Sequence, residues 1–322
     1  MHPLGTVQVV ASVASEHLAG GEVDLGTIDV PGCLRVHRQG RDDPTTCSEP
    51  GGWWRATLTP VGPATLHVRW TGARSLHEVH AEAWGPGADW MLERVPQLLG
   101  ALDRPVRFEV GHPAVLDAQR DHPSVRIGGG GGLYHSLLPV VIGQRVTTGE
   151  AFRSWRGLCA ALGGVAPGPI GARRLLLPPE PAELAARPYW WFHRLGIERK
   201  RADALRTVAR HADLVHRLDA AGDPVEARRV LQLLSGIGEW TVGSVLGPVF
   251  GDPDAVAVGD FWLKHMVCRA LAGAPRGDDE QMLALLEPYR GQRGRIVRLL
   301  GAAGWRAQRF GPGERVIPIA RL

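Results

Sequence analysis

Residues 233–241, with the sequence Leu-Leu-Ser-Gly-Ile-Gly-Glu-Trp-Thr, have the residue types of a phosphate-binding turn between two helices. Gly236 and Gly238 permit backbone conformations and close approaches that other residues resist. A helix that begins after such a turn presents unpaired N–H groups and the positive end of its dipole, so a DNA phosphate can bind there without any side chain. Many helix–helix corners also use glycine, so this pattern alone is only suggestive of DNA binding.

A carboxylate follows one predicted helix later, in the stretch 256–264 with the sequence Val-Ala-Val-Gly-Asp-Phe-Trp-Leu-Lys. Asp260 stands at the head of an apolar helix, where aspartate is a good N-cap residue, and this structural role would explain it if it were taken alone. The two stretches together favour a catalytic role. A hairpin that holds a phosphate, an intervening helix and then a carboxylate would place an anion beside the sugar of a docked nucleotide.

The two stretches together resemble the hairpin-and-aspartate signature of the helix-hairpin-helix DNA glycosylases, in particular the 3-methyladenine DNA glycosylase II branch. Further segments are similar to that branch: residues 138–146 with Ile-Gly-Gln at 142–144, residues 178–184 and 195–202, and residues 287–291. The resemblance covers residues 114–305 well and the first third loosely. It implies an α+β fold, in which a mostly helical bundle follows an N-terminal mixed β-sheet domain.

The resemblance also implies an activity, which is excision of alkylated purines of the 3-methyladenine or 7-methylguanine type in base excision repair. The target nucleotide must be flipped out of the duplex. Asp260 would be the catalytic carboxylate that stabilises positive charge on the sugar and orients or deprotonates the attacking water. Bifunctional relatives carry a lysine where this sequence has Trp240, which implies a monofunctional enzyme. The predicted DNA-binding residues are Gly236, Ile237, Gly238, Thr241, Gln144 and Arg145, and the predicted base-pocket residues are Trp240 and Tyr289.

Three positions depart from the pattern of the branch. Gly259 stands where proline often precedes the aspartate, Arg145 stands where an aliphatic residue usually intercalates, and Ser244 replaces an aromatic residue. Two alternatives stay open. One is a glycosylase for another damaged base, although many of those carry the lysine or a four-cysteine cluster that this chain lacks. The other is a catalytically inactive helix-hairpin-helix protein that only binds DNA, against which Asp260 argues.

The hydrophobic pattern changes from alternating to helical near residue 114. Before that point, residues 53–59 and 64–70 are predicted strands, 90–102 a helix, and 104–113 a last strand and linker. After it, the predicted helices are 133–146, 153–162, 199–218, 224–234, 239–250, 260–271, 278–286 and 293–303. We divide the chain into an N-terminal mixed α/β domain (1–113), a helical glycosylase domain (114–310) and a C-terminal tail (311–322).

The composition is that of a globular protein, with 322 residues of which 44% are hydrophobic, and its net charge of +4 suits an anionic partner only mildly. We expect double-stranded DNA as the partner, a monomer, no membrane segment, and a cytoplasmic location at the nucleoid when bound to DNA. We predict no metal and no cofactor, with a monovalent cation at the hairpin carbonyls as the one alternative. The aromatic run 190–192 is predicted to be core, and the arginines between 290 and 298 form either a phosphate-facing stripe or a solvated face.

Overall fold

The computed structural model describes residues 7–11, 28–71, 78–169 and 175–308 of the chain. The predicted tail 311–322 lies outside them. Within these residues a five-stranded antiparallel sheet has the strand order β1-β5-β4-β3-β2. The strands are β1 (Val7–Ala11), β2 (Thr46–Glu49), β3 (Gly52–Thr59), β4 (Gly62–Thr71) and β5 (Glu78–Trp84).

The two predicted strands are confirmed as β3 and β4, which form a tight hairpin. Thr59 pairs with Gly62 across the turn, and the Thr59 hydroxyl donates to the Gly62 carbonyl at 2.7 Å. β3 is buried along most of its length. Trp53 packs with the sheet and its helices, whereas Ala56 and Leu58 pack into the core of the helical bundle. The sheet is therefore joined to the bundle through β3.

Helices make up the remainder of the described structure, and the α+β fold class is confirmed. The α-helices are α1 (Val30–Arg35), α2 (Ala88–Glu93), α3 (Val95–Leu98), α4 (Pro113–Asp121), α5 (Leu133–Ile142), α6 (Thr148–Leu162), α7 (Pro181–Ala186), α8 (Arg199–Arg210), α9 (Ala212–Ala221), α10 (Pro224–Leu231), α11 (Glu239–Phe250), α12 (Leu263–Ala272), α13 (Asp279–Leu286) and α14 (Arg293–Ala302). Two 3₁₀ helices cover Tyr189–Leu195 and Glu287–Tyr289. Among the described helices, none has both the length and the apolar character needed to cross a membrane.

Three large apolar clusters hold these elements, and a small fourth cluster consists of Ala118, Val125 and Leu299. The first packs the sheet against α1, α2 and α3, and the second is the bundle core built from α5 to α11. The third joins α4 to α12, α13 and α14. The second and third clusters meet along the segment from α11 to α12, so residues that lie there are positioned by both.

The predicted helix 199–218 is divided at His211 into α8 and α9. Two further predicted elements differ from the structure because of local backbone chemistry. The predicted helix 90–102 is interrupted at Arg94, since Pro96 falls in the first turn of α3, where its missing N–H costs nothing. The predicted strand at 104–113 is wrong. The side chain of Gln119 on α4 bonds both backbone groups of Phe108, at 2.9 and 3.2 Å, and so replaces a strand partner.

The aromatic run 190–192 was predicted to be core, and only part of that prediction is confirmed. Phe192 is fully buried, and Trp191 packs at the edge of the bundle core under the Arg194 guanidinium, 4.3 Å from the ring centre. Trp190 is 64% exposed. A 3₁₀ helix has three residues per turn, so three consecutive side chains cannot share one face.

The arginines between residues 290 and 298 do not share one exposed face, because Arg295 is buried and each of the four has a partner within the chain. The pairs are Arg290 with Glu287, Arg293 with Asp254, Arg295 with Asp103, and Arg298 with the Gly32 carbonyl. The Arg295–Asp103 pair is buried and bidentate, at 2.8 and 2.5 Å. Asp103 also accepts from the Ile127 backbone N–H at 3.0 Å, so this pair ties α14 to the segment before α5.

We expect Asp103→Ala to lower the free energy of unfolding by about 3–5 kcal/mol, because it leaves Arg295 buried without a counter-charge. Asp117→Ala is the matched control, since its ion pair with Arg120 is exposed, and it should change nothing measurable. Urea denaturation followed by circular dichroism measures both. The double variant Asp103→Leu with Arg295→Met should recover part of the loss. Equal free energies of unfolding for Asp103→Ala and Asp117→Ala would contradict a stabilising role for the buried Arg295–Asp103 pair.

Candidate active site

The turn between α10 and α11 contains both glycines of the phosphate-binding pattern. The two positions differ in backbone conformation and in the space around them. Gly236 has φ +85°, and a Cβ there would stand 2.6 Å from the Cβ of Ala204 on α8. Gly238 has an ordinary φ, and nothing lies within 4 Å of a Cβ placed on it. Ile237 between them is buried in the bundle core. Gly236 is thus required by packing, whereas Gly238 leaves the backbone at the start of α11 open.

Asp260 lies in the turn just before α12, and both of its carboxylate oxygens are engaged. Oδ1 accepts from the backbone N–H groups of Trp262 and Leu263, at 2.8 and 2.9 Å. Oδ2 accepts from the indole Nε1 of Trp240 at 3.4 Å. The helix-cap role of Asp260 therefore exists, and it coexists with a link to the hairpin helix. The carboxylate is held in one orientation while the residue stays partly exposed.

Trp240 is the second residue of α11 and lies between two loops. The end of its ring would be 3.6 Å from a Cβ on Gly143, and its own Cβ would be 3.7 Å from a Cβ on Gly259. The residue is partly exposed. The indole thus spans from the turn after α5 to the Asp260 loop.

Gln144 binds the hairpin directly. Its Nε2 donates to the Gly236 carbonyl and to the Thr241 hydroxyl, both at 2.9 Å. Thr241 is buried in α11, so its predicted contact with DNA would have to be made through the backbone. The monovalent cation at the hairpin carbonyls stays a prediction, and a cation at the Gly236 oxygen would share that oxygen with the Gln144 amide.

Arg145 follows at the tip between α5 and α6, in a strained backbone conformation. Its φ of 55° makes it the one non-glycine residue with positive φ in the part of the chain that the structure describes. Such a conformation costs of order 1 kcal/mol or more and is often found at functional sites. The Arg145 side chain is exposed. The next helix is fixed independently, because Thr147 and Glu150 form a reciprocal capping box at its start.

Arg201 supports the tip and was not identified from the sequence. It is almost fully buried on α8, and it donates to the Ile142 carbonyl at 2.8 Å and to the Gly196 carbonyl at 3.0 Å. The last turn of α5, just before Gln144, is thereby bonded to the corner before α8. A single arginine in an arginine-rich chain carries no sequence signal for such a role.

The observed contacts of Tyr289 are with residues outside the group formed by Asp260, Trp240 and Gln144. Its hydroxyl accepts from the His112 N–H at 2.8 Å, and its ring packs edge-on against Phe108, with 5.4 Å between ring centres. Tyr289 belongs to the buried third cluster. Its place in a base pocket stays a prediction, to which these contacts add no support.

Phe261 and Trp262 are the large apolar residues that the sequence analysis overlooked. They follow Asp260 directly and are 66% and 46% exposed. Their rings meet edge to face with 4.7 Å between centres. The signal was present, since two bulky aromatic residues follow a cap residue. We had placed both inside the predicted helix, whereas α12 begins at Leu263 and the preceding turn leaves them at the surface.

Comparison with known proteins finds similar folds at low sequence identity. No protein-family model and no curated protein matches the chain. A 3-methyladenine DNA glycosylase from Archaeoglobus fulgidus is 16% identical, with a TM-score of 0.69 over 85% of this chain and 94% of that one. The protein MBOgg1, solved with a low-affinity DNA ligand, is 13% identical, with a TM-score of 0.63 over 86% of this chain and 92% of that one.

An 8-oxoguanine glycosylase/lyase from Clostridium acetobutylicum, solved with DNA, is 12% identical, with a TM-score of 0.60 over 85% of this chain and 91% of that one. Each likeness extends over most of both chains. The chain therefore has the fold of the helix-hairpin-helix DNA glycosylases.

Proposed function

We propose that this chain is a monofunctional DNA glycosylase that hydrolyses the N-glycosidic bond of alkylated purines. One observation carries the proposal. The Trp240 indole bonds the Asp260 carboxylate, and Trp240 lies in the first turn of the helix that follows Gly238. The Gln144 side-chain amide donates to the Gly236 carbonyl of the same hairpin. A phosphate site, a carboxylate and an exposed tip are thereby joined by direct hydrogen bonds.

In the proposed mechanism the start of α11 binds a backbone phosphate through its N–H groups. The target nucleotide leaves the stack. Arg145 at the tip enters the gap, where its planar guanidinium can stack between bases. Asp260 then faces the sugar, stabilises the positive charge that develops as the base departs, and orients the attacking water.

No amine is positioned as the nucleophile in this proposal. Trp240 occupies the place of the lysine that bifunctional relatives use. Lys264, one turn beyond Asp260, has its ammonium group paired with Asp279 at 2.9 Å. An amine held in such an ion pair is a poor nucleophile. Water is therefore the proposed attacking group, and the product is an abasic site in an unbroken strand.

The substrate class follows from the aromatic surroundings of Asp260. An N3- or N7-alkylated purine is cationic, so its glycosidic bond is weakened and the base leaves without protonation. Electron-rich ring faces attract such a cation. Trp240 bonds the carboxylate and is partly exposed, and Phe261 and Trp262, which follow Asp260 in the sequence, are 66% and 46% exposed. We propose that this aromatic group receives the alkylated base.

Asp260→Asn tests the catalytic assignment. Asparagine keeps the size of the side chain and an oxygen for the Trp262 and Leu263 N–H groups, but it removes the charge. We expect single-turnover excision of 7-methylguanine to fall by about 100-fold or more, with DNA affinity retained. Asp223→Asn is the matched control, because Asp223 caps α10 through two comparable hydrogen bonds. Excision at the normal rate by Asp260→Asn would refute the proposal.

Gly238→Ala tests the phosphate site without disturbing the fold. A Cβ at this position has open space, so the thermal midpoint should not change. The added methyl group would stand where the phosphate approaches, so binding to lesion-containing and undamaged duplexes should weaken by the same factor. Gly301→Ala, on α14 with equally open space, is the control. Weaker binding to one lesion alone would contradict a backbone contact.

The substrate is tested by the single-turnover rates on 7-methylguanine and 8-oxoguanine in one duplex context. We expect a faster rate on 7-methylguanine, because its cationic base needs no acid. The products should show strand breaks only after alkali, and borohydride should trap no covalent adduct. A faster rate on 8-oxoguanine would place this chain with the oxidised-base enzymes, and a trapped adduct would reveal an amine nucleophile.

A further inference from the structure

Asp279, at the start of α13, contacts the chain on both sides of Asp260. Its Oδ1 accepts from the Gly259 backbone N–H at 2.9 Å. Its Oδ2 accepts from the Lys264 Nζ at 2.9 Å. Gly259 immediately precedes Asp260, and Lys264 lies one turn after it on α12. A single carboxylate thus bonds both ends of the six-residue segment 259–264, which holds the candidate catalytic group.

Gly259 is a position where such a contact has consequences. Its φ is +92°, a conformation that a proline could not adopt and that other side chains rarely adopt. Glycine loses more conformational freedom on ordering than any other residue, so the backbone at an exposed glycine before Asp260 would be free to move if nothing held it. The Asp279 hydrogen bond removes this freedom by holding the peptide N–H.

The Asp279 carboxylate is charged when it accepts the hydrogen bond from the Gly259 N–H. Partial burial alone would raise the pKa of Asp279, but the hydrogen bonds from Lys264 and Gly259 outweigh burial and lower it below its ordinary value. Both partners are themselves fixed to secondary structure, because Asp279 is the first residue of α13 and Lys264 is the second residue of α12. The contact therefore connects two helix starts that belong to the same apolar cluster.

We propose that Asp279 is a positioning residue for the reaction: by clamping the Gly259 peptide and the Lys264 ammonium, it holds Asp260 in the orientation that faces the sugar. Asp279 itself touches no reacting atom. The inference rests on the proposed function for its kinetic consequence. Its structural content, a clamp that orients Asp260 toward the Trp240 indole, stands independently and can be measured without DNA.

Asp279→Ala is the main test. We expect its single-turnover excision to fall by about 10- to 100-fold, since small displacements of a catalytic group have effects of that size. Affinity for abasic product DNA should stay at the wild-type level, because the hairpin is not altered. Asp279→Asn should lose less, since its side-chain oxygen can still accept from the Gly259 N–H. A rate loss in both variants that is matched by weaker binding would overturn the positioning role.

Asp278→Ala is the matched control for helix stability. Asp278 is the neighbouring residue and caps α13 through a reciprocal pair with Gln281. Its removal should lower the thermal midpoint at least as much as Asp279→Ala does, but it should leave excision unchanged, because it does not contact the Asp260 loop. Equal rate losses in Asp278→Ala and Asp279→Ala would show that loss of α13 stability is the cause and would overturn the proposal.

A second readout separates this proposal from the proposed function. The Trp240 indole N–H resonance, assigned through Trp240→Phe, reports the hydrogen bond to Asp260 in the free protein. We expect Asp279→Ala to shift it toward its position in Asp260→Asn and Asp279→Asn to shift it less. An indole resonance unchanged in Asp279→Ala would overturn the clamp whatever the activity. If wild-type protein excised no base, the proposed function would fail, while the shift would still decide the clamp.

Discussion

The way in which the Asp260 carboxylate is held decides how the rest of the candidate site works. A carboxylate exchanges water for protein donors when it is partly buried, and here three donors replace that water: two backbone N–H groups of the next turn and the Trp240 indole. Because Trp240 follows Gly238 by two residues on one helix, the carboxylate and the open hairpin backbone are set at a fixed separation. In the proposed function, binding energy from a phosphate at the hairpin would be used to place a sugar at the carboxylate.

The hairpin is also connected to the tip that would enter the duplex. Gln144 donates to the Gly236 carbonyl, and Arg201 fixes the last turn of α5 from the opposite side. These two residues leave Arg145 exposed in a strained conformation on a rigid base. Much of the arginine content serves such internal roles. Arg201 and Arg295 are buried on chain partners, so the arginine count of this protein overstates its phosphate-binding surface.

Substrate choice and the common fold depend on different residues. The helices fix where the hairpin and the Asp260 carboxylate lie, and similar folds bear the names of 3-methyladenine and 8-oxoguanine enzymes. The chemical surroundings of the carboxylate depend on the neighbouring side chains. Here Phe261 and Trp262 are exposed beside Asp260, and Ser244 bonds the Trp240 carbonyl at 2.7 Å where an aromatic residue would have lain over the helix. We attribute the proposed preference for a cationic base to this local aromatic surface.

The sequence alone determined the α+β class, the strands β3 and β4, the span of α11, and the pairing of the glycine turn with Asp260. The strands and α11 rest on local patterns, namely periodicity and turn residues, which act over a few residues. The α+β class and the pairing of the glycine turn with Asp260 also rest on the resemblance to the helix-hairpin-helix glycosylases. The sequence alone could not predict that Phe261 and Trp262 are exposed, because the start of α12 depends on how Asp260 caps the turn. The sequence also could not predict the hydrogen bond of Tyr289 with His112 or those of Arg201 with two backbone carbonyls. The same holds for the hydrogen bond between Asp279 and the Gly259 N–H. Those contacts join residues brought together only by the packing of separate helices, and side chains of one type are indistinguishable in sequence until that packing assigns their partners.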